Sequence, residues 1–160
     1  MAAVSPRRFT FRSPNEGRDL AATLSQSCAM PEQVAFGLNE LLLNAVEHGN
    51  LEISYAMKTE LVLGGTWAAE IERRLELAPY RSRQVVVDVD TAGDEIVFTI
   101  TDEGAGFAWE RYLELAADRA TDPHGRGIAL SALMAFSSLT YKGRGNEVVC
   151  KAPVAEAPPA

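Results

Sequence analysis

Period-two alternation and β-branched content mark three stretches, "RRFTFR", "RQVVVDVD" and "DEIVFTITD", as half-buried strands. "SSLTYKG" and "NEVVCKA" read as two more. The short "TAG" between "RQVVVDVD" and "DEIVFTITD" fits a hairpin turn, so those two strands should pair antiparallel. Between the strands the period changes to that of a helix. "SPNEGRDLAATLSQSC" is a helix with Ser13 as its cap, Pro14 at its first position and Glu16 placed to close a capping box. A second helix should run from Pro31 to about His48, with Gly49 free to take the left-handed conformation that ends it. In the next thirty or so residues, Leu61, Ile71 and Leu75 keep helical spacing while Gly64-Gly65 interrupts it, which predicts a helix, a break and another helix. "AWERYLELAADRA" reads as a short helix, "DPHGRG" as a loop and "IALSALMAF" as a helix opening after the glycines. The expected architecture is an α/β two-layer sandwich, a mixed, largely antiparallel sheet covered on one face by helices.

Length and charge bound what such a fold can do. The chain has 160 residues, 47% of them hydrophobic, enough for one core and hardly for two. We expect one domain over 7–152, with a helical insertion at about 51–80 and a flexible Pro/Ala tail at 153–160. A formal net charge of −7 argues against direct nucleic-acid or anionic-membrane binding, although a local basic site can still hold a phosphate. No apolar run is long enough to span a bilayer and "MAAVSPRRFTF" lacks a signal-peptide core, so a cytoplasmic location is expected. Cys28 and Cys150 are far apart and outside any C-x-x-C spacing, and both are assigned to packing.

Three stretches carry candidate chemistry. In "NELLLNAVEHGN", Glu40, Asn44 and His48 recur every four residues and form a polar row on one helix face. Such a row suits a solvent face. A carboxylate and an amide oxygen on one rigid face also suit holding Mg²⁺ or its waters and accepting a proton from an attacking hydroxyl. "TDEGAGF" follows a strand and is either a glycine turn or a base-binding loop. In the second case Asp102 is an acceptor for an exocyclic amine such as that of adenine, and Gly104 and Gly106 let the base approach the backbone. "HGRGIAL" opens a helix, whose unpaired N–H groups suit phosphate oxygens, with Arg126 adding charge. Alone it is an ordinary loop and helix start, and no Gly-Lys-Ser/Thr follows to make a P-loop.

Taken in order, E-x-x-x-N-A-x-x-H-G on a helix, D-x-G-x-G-F after a strand and G-x-G before an apolar helix resemble the ATPase superfamily of gyrase, heat-shock chaperones and histidine kinases, with its Bergerat-type ATP-binding fold. The resemblance covers about Phe9 to Lys151. Within it, "LNELLLNAVEHGN" is most similar to the anti-sigma-factor serine kinases, which bind a sigma factor or phosphorylate a serine on a small anti-anti-sigma protein. The resemblance implies ATP and Mg²⁺ as cofactors. It makes Glu40 the residue that orients or deprotonates the attacking hydroxyl, Asn44 the Mg²⁺ ligand and Asp102 the adenine contact. Gly104 and Gly106 would shape the adenine pocket, and Gly125 and Gly127 would offer amides to the phosphates under a lid from about Ala108 to Arg126. His48 matches a family position without an assigned role and is read as structural.

Two features depart from that pattern. Where the family has a Gly-Thr pair on the last strand, this chain has Gly145-Asn146, so Asn146 stands in for the threonine and Thr140 is left outside the site. The segment from about Leu51 to Tyr80 is longer than the family's connection and either covers core surface or makes a partner or homodimer interface, with Trp67 and Ile71 as candidate anchors. The expected function is a serine/threonine kinase acting on an anti-anti-sigma protein in sigma-factor control. The alternatives are a non-catalytic module that sequesters a sigma factor or other regulator, and a histidine kinase catalytic domain acting in trans, since too little chain precedes Pro31 for a phospho-accepting hairpin.

Overall fold

Ser13 starts the first helix as its local chemistry dictates. Its backbone is extended, its hydroxyl accepts from the Glu16 N–H, and the Glu16 carboxylate accepts from the Ser13 N–H in return. The computed structural model describes residues 6–106 and 135–156. Strand β1 (Arg7–Phe11) leads into α1 (Pro14–Leu24), a 3₁₀ turn (Ser25–Ser27) and α2 (Pro31–Asn44). Then come α3 (Tyr55–Leu63), α4 (Trp67–Leu75), a 3₁₀ turn (Tyr80–Ser82), β2 (Val85–Ala92), β3 (Glu95–Thr101), β4 (Ser138–Lys142) and β5 (Glu147–Pro153). The expected break at Gly64-Gly65 lies between α3 and α4, and Gly65 is left-handed, at φ 72°. The stretches "AWERYLELAADRA" and "DPHGRG", and most of "IALSALMAF", lie outside the described residues.

The strands form one sheet in the order β1-β2-β3-β5-β4. Every pair described is antiparallel, in keeping with the largely antiparallel sheet expected. Alternation sets the register: Val87 pairs with Ile100 and Val89 with Phe98, while Phe98 and Ile100 also pair with Cys150 and Val148. These six side chains are buried, and so point to one face. That face is covered by α1 through Ala21 and Leu24 and by α2 through Val34, Leu38, Leu41 and Leu42. Gly17 permits the approach of α1, since a Cβ there would stand 2.8 Å from the Phe11 ring. The β2–β3 hairpin turns on two residues, Gly93 and Asp94, because Ala92 still pairs with Glu95 and Gly93 supplies the left-handed φ of 64°.

Two details correct the reading of the sequence, and a third bears on the alternatives it left open. The second helix does not stop in a left-handed Gly49. It widens into a π turn over Ala45–Asn50, and the left-handed residue is Glu52, at φ 54°. The tail expected to be free from 153 is held as far as Ala155. The Ala29 N–H donates to the Pro153 carbonyl, the Ala155 N–H donates to the Ser27 carbonyl, and Val154 is buried beside Cys28. Finally, Ile71 is buried and Trp67 packs against the core, so these candidate anchors serve the domain's own interior. Both cysteines are buried and free, and burial pushes the Cys28 thiol up to about 11, consistent with packing.

Candidate functional site

Helix α2 delivers its last residue, Asn44, to the end of the sheet where β3 stops. There Asn44 joins Asp102, Gly145, Asn146 and Glu147 around a small cleft open to solvent. Leu41, Ala45, Ile100 and Val148 supply its apolar part, with Tyr141 beside them. Apolar side chains beside a few convergent polar groups are the usual lining of a small-molecule site. Its apolar side chains and the buried Asp102 carboxylate suit one edge of a flat heteroaromatic base.

Asp102 is the chief polar group. It is buried, its Oδ1 accepts from the Gly104 N–H at 2.8 Å, and its own N–H donates to the Asn146 carbonyl at 2.9 Å. Burial pushes its carboxyl up to about 6, opposed by the Gly104 N–H and by the charges of Arg83 and Arg144. Three glycines make the room around it. A Cβ on Gly49 would lie 2.6 Å from both Asp102 carboxylate oxygens, and one on Gly104 would lie 2.6 Å from the carbonyl carbon of Gly49. Gly106, at φ 90°, packs against the Arg144 backbone in a conformation that other residues rarely adopt. Of the expected pair, Gly104 thus packs on Gly49 beside Asp102 and Gly106 on Arg144, and Gly49 is a third closely packed glycine.

Asn44 is buried and its Nδ2 has no hydrogen-bond partner among the described residues, so a polar ligand in the cleft would satisfy it. Flipping the amide exchanges Nδ2 for Oδ1 with no change of shape, so the same side chain can serve a metal. No group of three His, Cys, Asp or Glu among the described residues could hold a metal ion by itself. A single amide ligand fits Mg²⁺, which keeps several waters and draws its other ligands from bound phosphates.

Glu40 stands one turn before Asn44, half-buried and outside the residues that line the cleft. Burial raises its pKa, and the charge of Lys58 opposes the rise. His48 leaves the expected polar row, because the π turn rotates it away. It is buried, stacks on Tyr55 with ring centroids 3.8 Å apart, and its Nδ1–H donates to the Ile53 carbonyl. Glu47 is the acidic residue the spacing argument missed. It is fully buried and Lys58 Nζ lies 2.7 Å from its Oε2, while burial pushes its carboxyl up to about 7. Its signal was a second charge seven residues after Glu40 in an otherwise apolar stretch. Asn146 lines the cleft as expected of a stand-in, and Thr140 is exposed on β4. Gly125, Arg126, Gly127 and the lid expected over 108–126 lie outside the described residues.

A comparison with curated proteins returns no match. The family profile of the histidine kinase-like ATPase domain matches residues 16–151, which takes in most of α1, all of α2, the cleft and four of the five strands, β5 as far as Lys151. That match covers most of the chain, and Asn44, Asp102 and the three closely packed glycines all lie inside it; the chain belongs to the histidine kinase-like ATPase domain family.

Proposed function

We propose that this chain is an Mg-ATP-dependent protein serine/threonine kinase of the anti-sigma-factor type, transferring phosphate to a serine of a small anti-anti-sigma protein and so controlling a sigma factor. The observation that carries this reading is the division of labour on α2. Asn44 lines the cleft with an amide whose Nδ2 has no hydrogen-bond partner among the described residues, and Glu40, one turn earlier, keeps a half-buried carboxylate outside it. Asp102 would accept the exocyclic amine of adenine, while Leu41, Ala45, Ile100 and Val148 exclude water from the base. Asn44 would ligate Mg²⁺. The ion, when bound, neutralises phosphate charge, which is the main service that phosphoryl transfer requires. Burial raises the basicity of Glu40 and the neighbouring Lys58 favours its ionised form, two properties that suit a group meant to orient or take the proton of a serine hydroxyl.

The two residues should therefore fail differently. Asn44→Ala should weaken Mg-ATP binding itself. Glu40→Ala should keep nucleotide and partner but transfer phosphate about 10²–10⁴-fold more slowly, the usual scale of general acid–base help. The measurement is single-turnover transfer from labelled ATP to the purified anti-anti-sigma protein, with ATP affinity titrated for each variant. Transfer by Glu40→Ala at the wild-type rate refutes the catalytic assignment. A wild-type protein that binds ATP and its partner but transfers nothing is instead a sequestering module.

A further inference from the structure

Three separate stretches of chain meet behind Asp102, and one arginine joins them. Arg83, two residues before β2, donates through Nη1 to the Asn50 carbonyl at 2.8 Å and to Glu52 Oε2 at 2.7 Å. The next residue, Gln84, donates its N–H to Glu103 Oε2 at 2.6 Å. The ring closes when the Glu103 N–H donates to Asn50 Oδ1 at 2.7 Å. Asn50 follows Gly49 and Glu103 follows Asp102, so the ring lies one residue from the packed Gly49–Asp102 contact on both sides.

The same loop is gripped a second time. Arg74 of α4 donates through Nη1 to the Leu51 carbonyl at 2.8 Å, and both guanidinium groups lie over Tyr80, 5.8 and 5.3 Å from its ring centroid. Between the two grips is Glu52, at φ 54°. A non-glycine residue stays left-handed only where its surroundings over-determine it. The segment between α2 and β2 thus does more than cover the core: its C-terminal end braces the loop on which the buried acceptor rests. The charge of Arg83 also favours the ionised form of Asp102.

We infer that Arg83 is a positioning residue for base selection: by fixing Asn50 and Glu103 it holds the Asp102 carboxylate opposite the 6-position of a bound purine. The inference rests on the reading of the cleft as an adenine-nucleotide site. At that position adenine presents an amine donor, whereas hypoxanthine presents a carbonyl oxygen that a carboxylate repels. Phosphate and ribose are the same in both nucleotides. Misplacing Asp102 should therefore cost ATP its advantage and leave ITP nearly untouched, which general damage to the domain would not do.

The test is calorimetric titration of the whole chain with Mg-ATP and Mg-ITP. Wild type should prefer ATP. Arg83→Gln should shrink the ratio of the two affinities about tenfold, the value of one hydrogen bond to a charged group, with ITP affinity changed by less than about twofold. Arg83→Lys should restore part of the preference. Glu52→Ala removes an exposed anchor of the same guanidinium without touching the core, so it serves if Arg83→Gln fails to fold, and it should shift the ratio in the same direction by less. Equal losses for ATP and ITP in these variants, or an unchanged ratio, overturn the inference alone. Wild-type protein that binds neither nucleotide overturns the adenine reading and this inference together.

Discussion

Replacing Gly49 with alanine puts one methyl group against the acceptor that the cleft is built around. Gly49 is not left-handed, so the backbone itself accepts alanine and the effect is purely steric. The new Cβ would lie 2.6 Å from both Asp102 carboxylate oxygens. Ordinary contact needs about 3.5 Å, so the carboxylate must retreat by roughly 1 Å. Its bond from the Gly104 N–H, now 2.8 Å, does not survive such a shift. Losing a hydrogen bond to a charged group costs about 1.5–3 kcal/mol in the free protein. Nucleotide should suffer more directly, since the acceptor for the adenine amine has moved, and the expected loss of ATP affinity is about 10–100-fold. Urea unfolding reads the first quantity and calorimetry the second. Asp102→Asn should weaken ATP by about 1–3 kcal/mol for the same reason, and adding Gly49→Ala to it should cost little further, because both changes act through one side chain. ATP affinity in Gly49→Ala within about twofold of wild type, or full additivity in the double variant, would refute the reasoning.

Two further predictions concern pH. The Asp102 carboxyl is raised to about 6 in the folded protein from an ordinary value near 4, so its contribution to stability is fully present below about pH 4 and is lost as pH rises through 6. Nucleotide-free Asp102→Asn should therefore gain about 2–3 kcal/mol over wild type at pH 7 relative to pH 4, as read by unfolding at both pH values, and ATP affinity of wild type should strengthen as pH rises through 6. Lys58→Met strands the buried Glu47 carboxylate, whose folded value is already raised to about 7 with the lysine present. Below that pH the carboxyl is neutral in both proteins and the variant should lose little. Above it the loss should grow toward about 3 kcal/mol, and a thermal-stability difference independent of pH between 5 and about 9 would contradict the pairing.

The readable parts of this chain are those whose causes are local. Ser13 and Glu16 are three residues apart and cap each other, so the start of α1 follows from composition and spacing. The alternation of Val85, Val87 and Val89 against Ile96, Phe98 and Ile100 likewise prescribes a hairpin and its buried face. The unreadable parts depend on residues far apart in sequence. Gly49 looks like a helix stop, but its neighbours in space are Asp102 and Gly104. The π turn displaces His48 from the row of Glu40 and Asn44, and the bonds that shape it include the Leu51 N–H to the Val46 carbonyl and the Ile53 N–H to the Glu47 carbonyl. Glu47 is buried because its partner, Lys58, arrives from the next helix. Asp102 and Asn44 were legible as chemistry, but their meeting at one cleft depends on strand order, which periodicity does not encode.

The docking of residues 153–155 determines where cargo can be attached. β5 starts at Glu147, opposite Thr101 and next to the cleft, and ends at Pro153, opposite Glu95 at the far end of the sheet. Seven extended residues carry the chain about 20 Å from the base-binding end. The Ala155 N–H bond to Ser27 then pins it there. A fluorescent reporter fused after Glu156 thus leaves nucleotide access clear, whereas one fused after Ala152 would strip off Val154, open the seat of Cys28 and report on a loosened sheet.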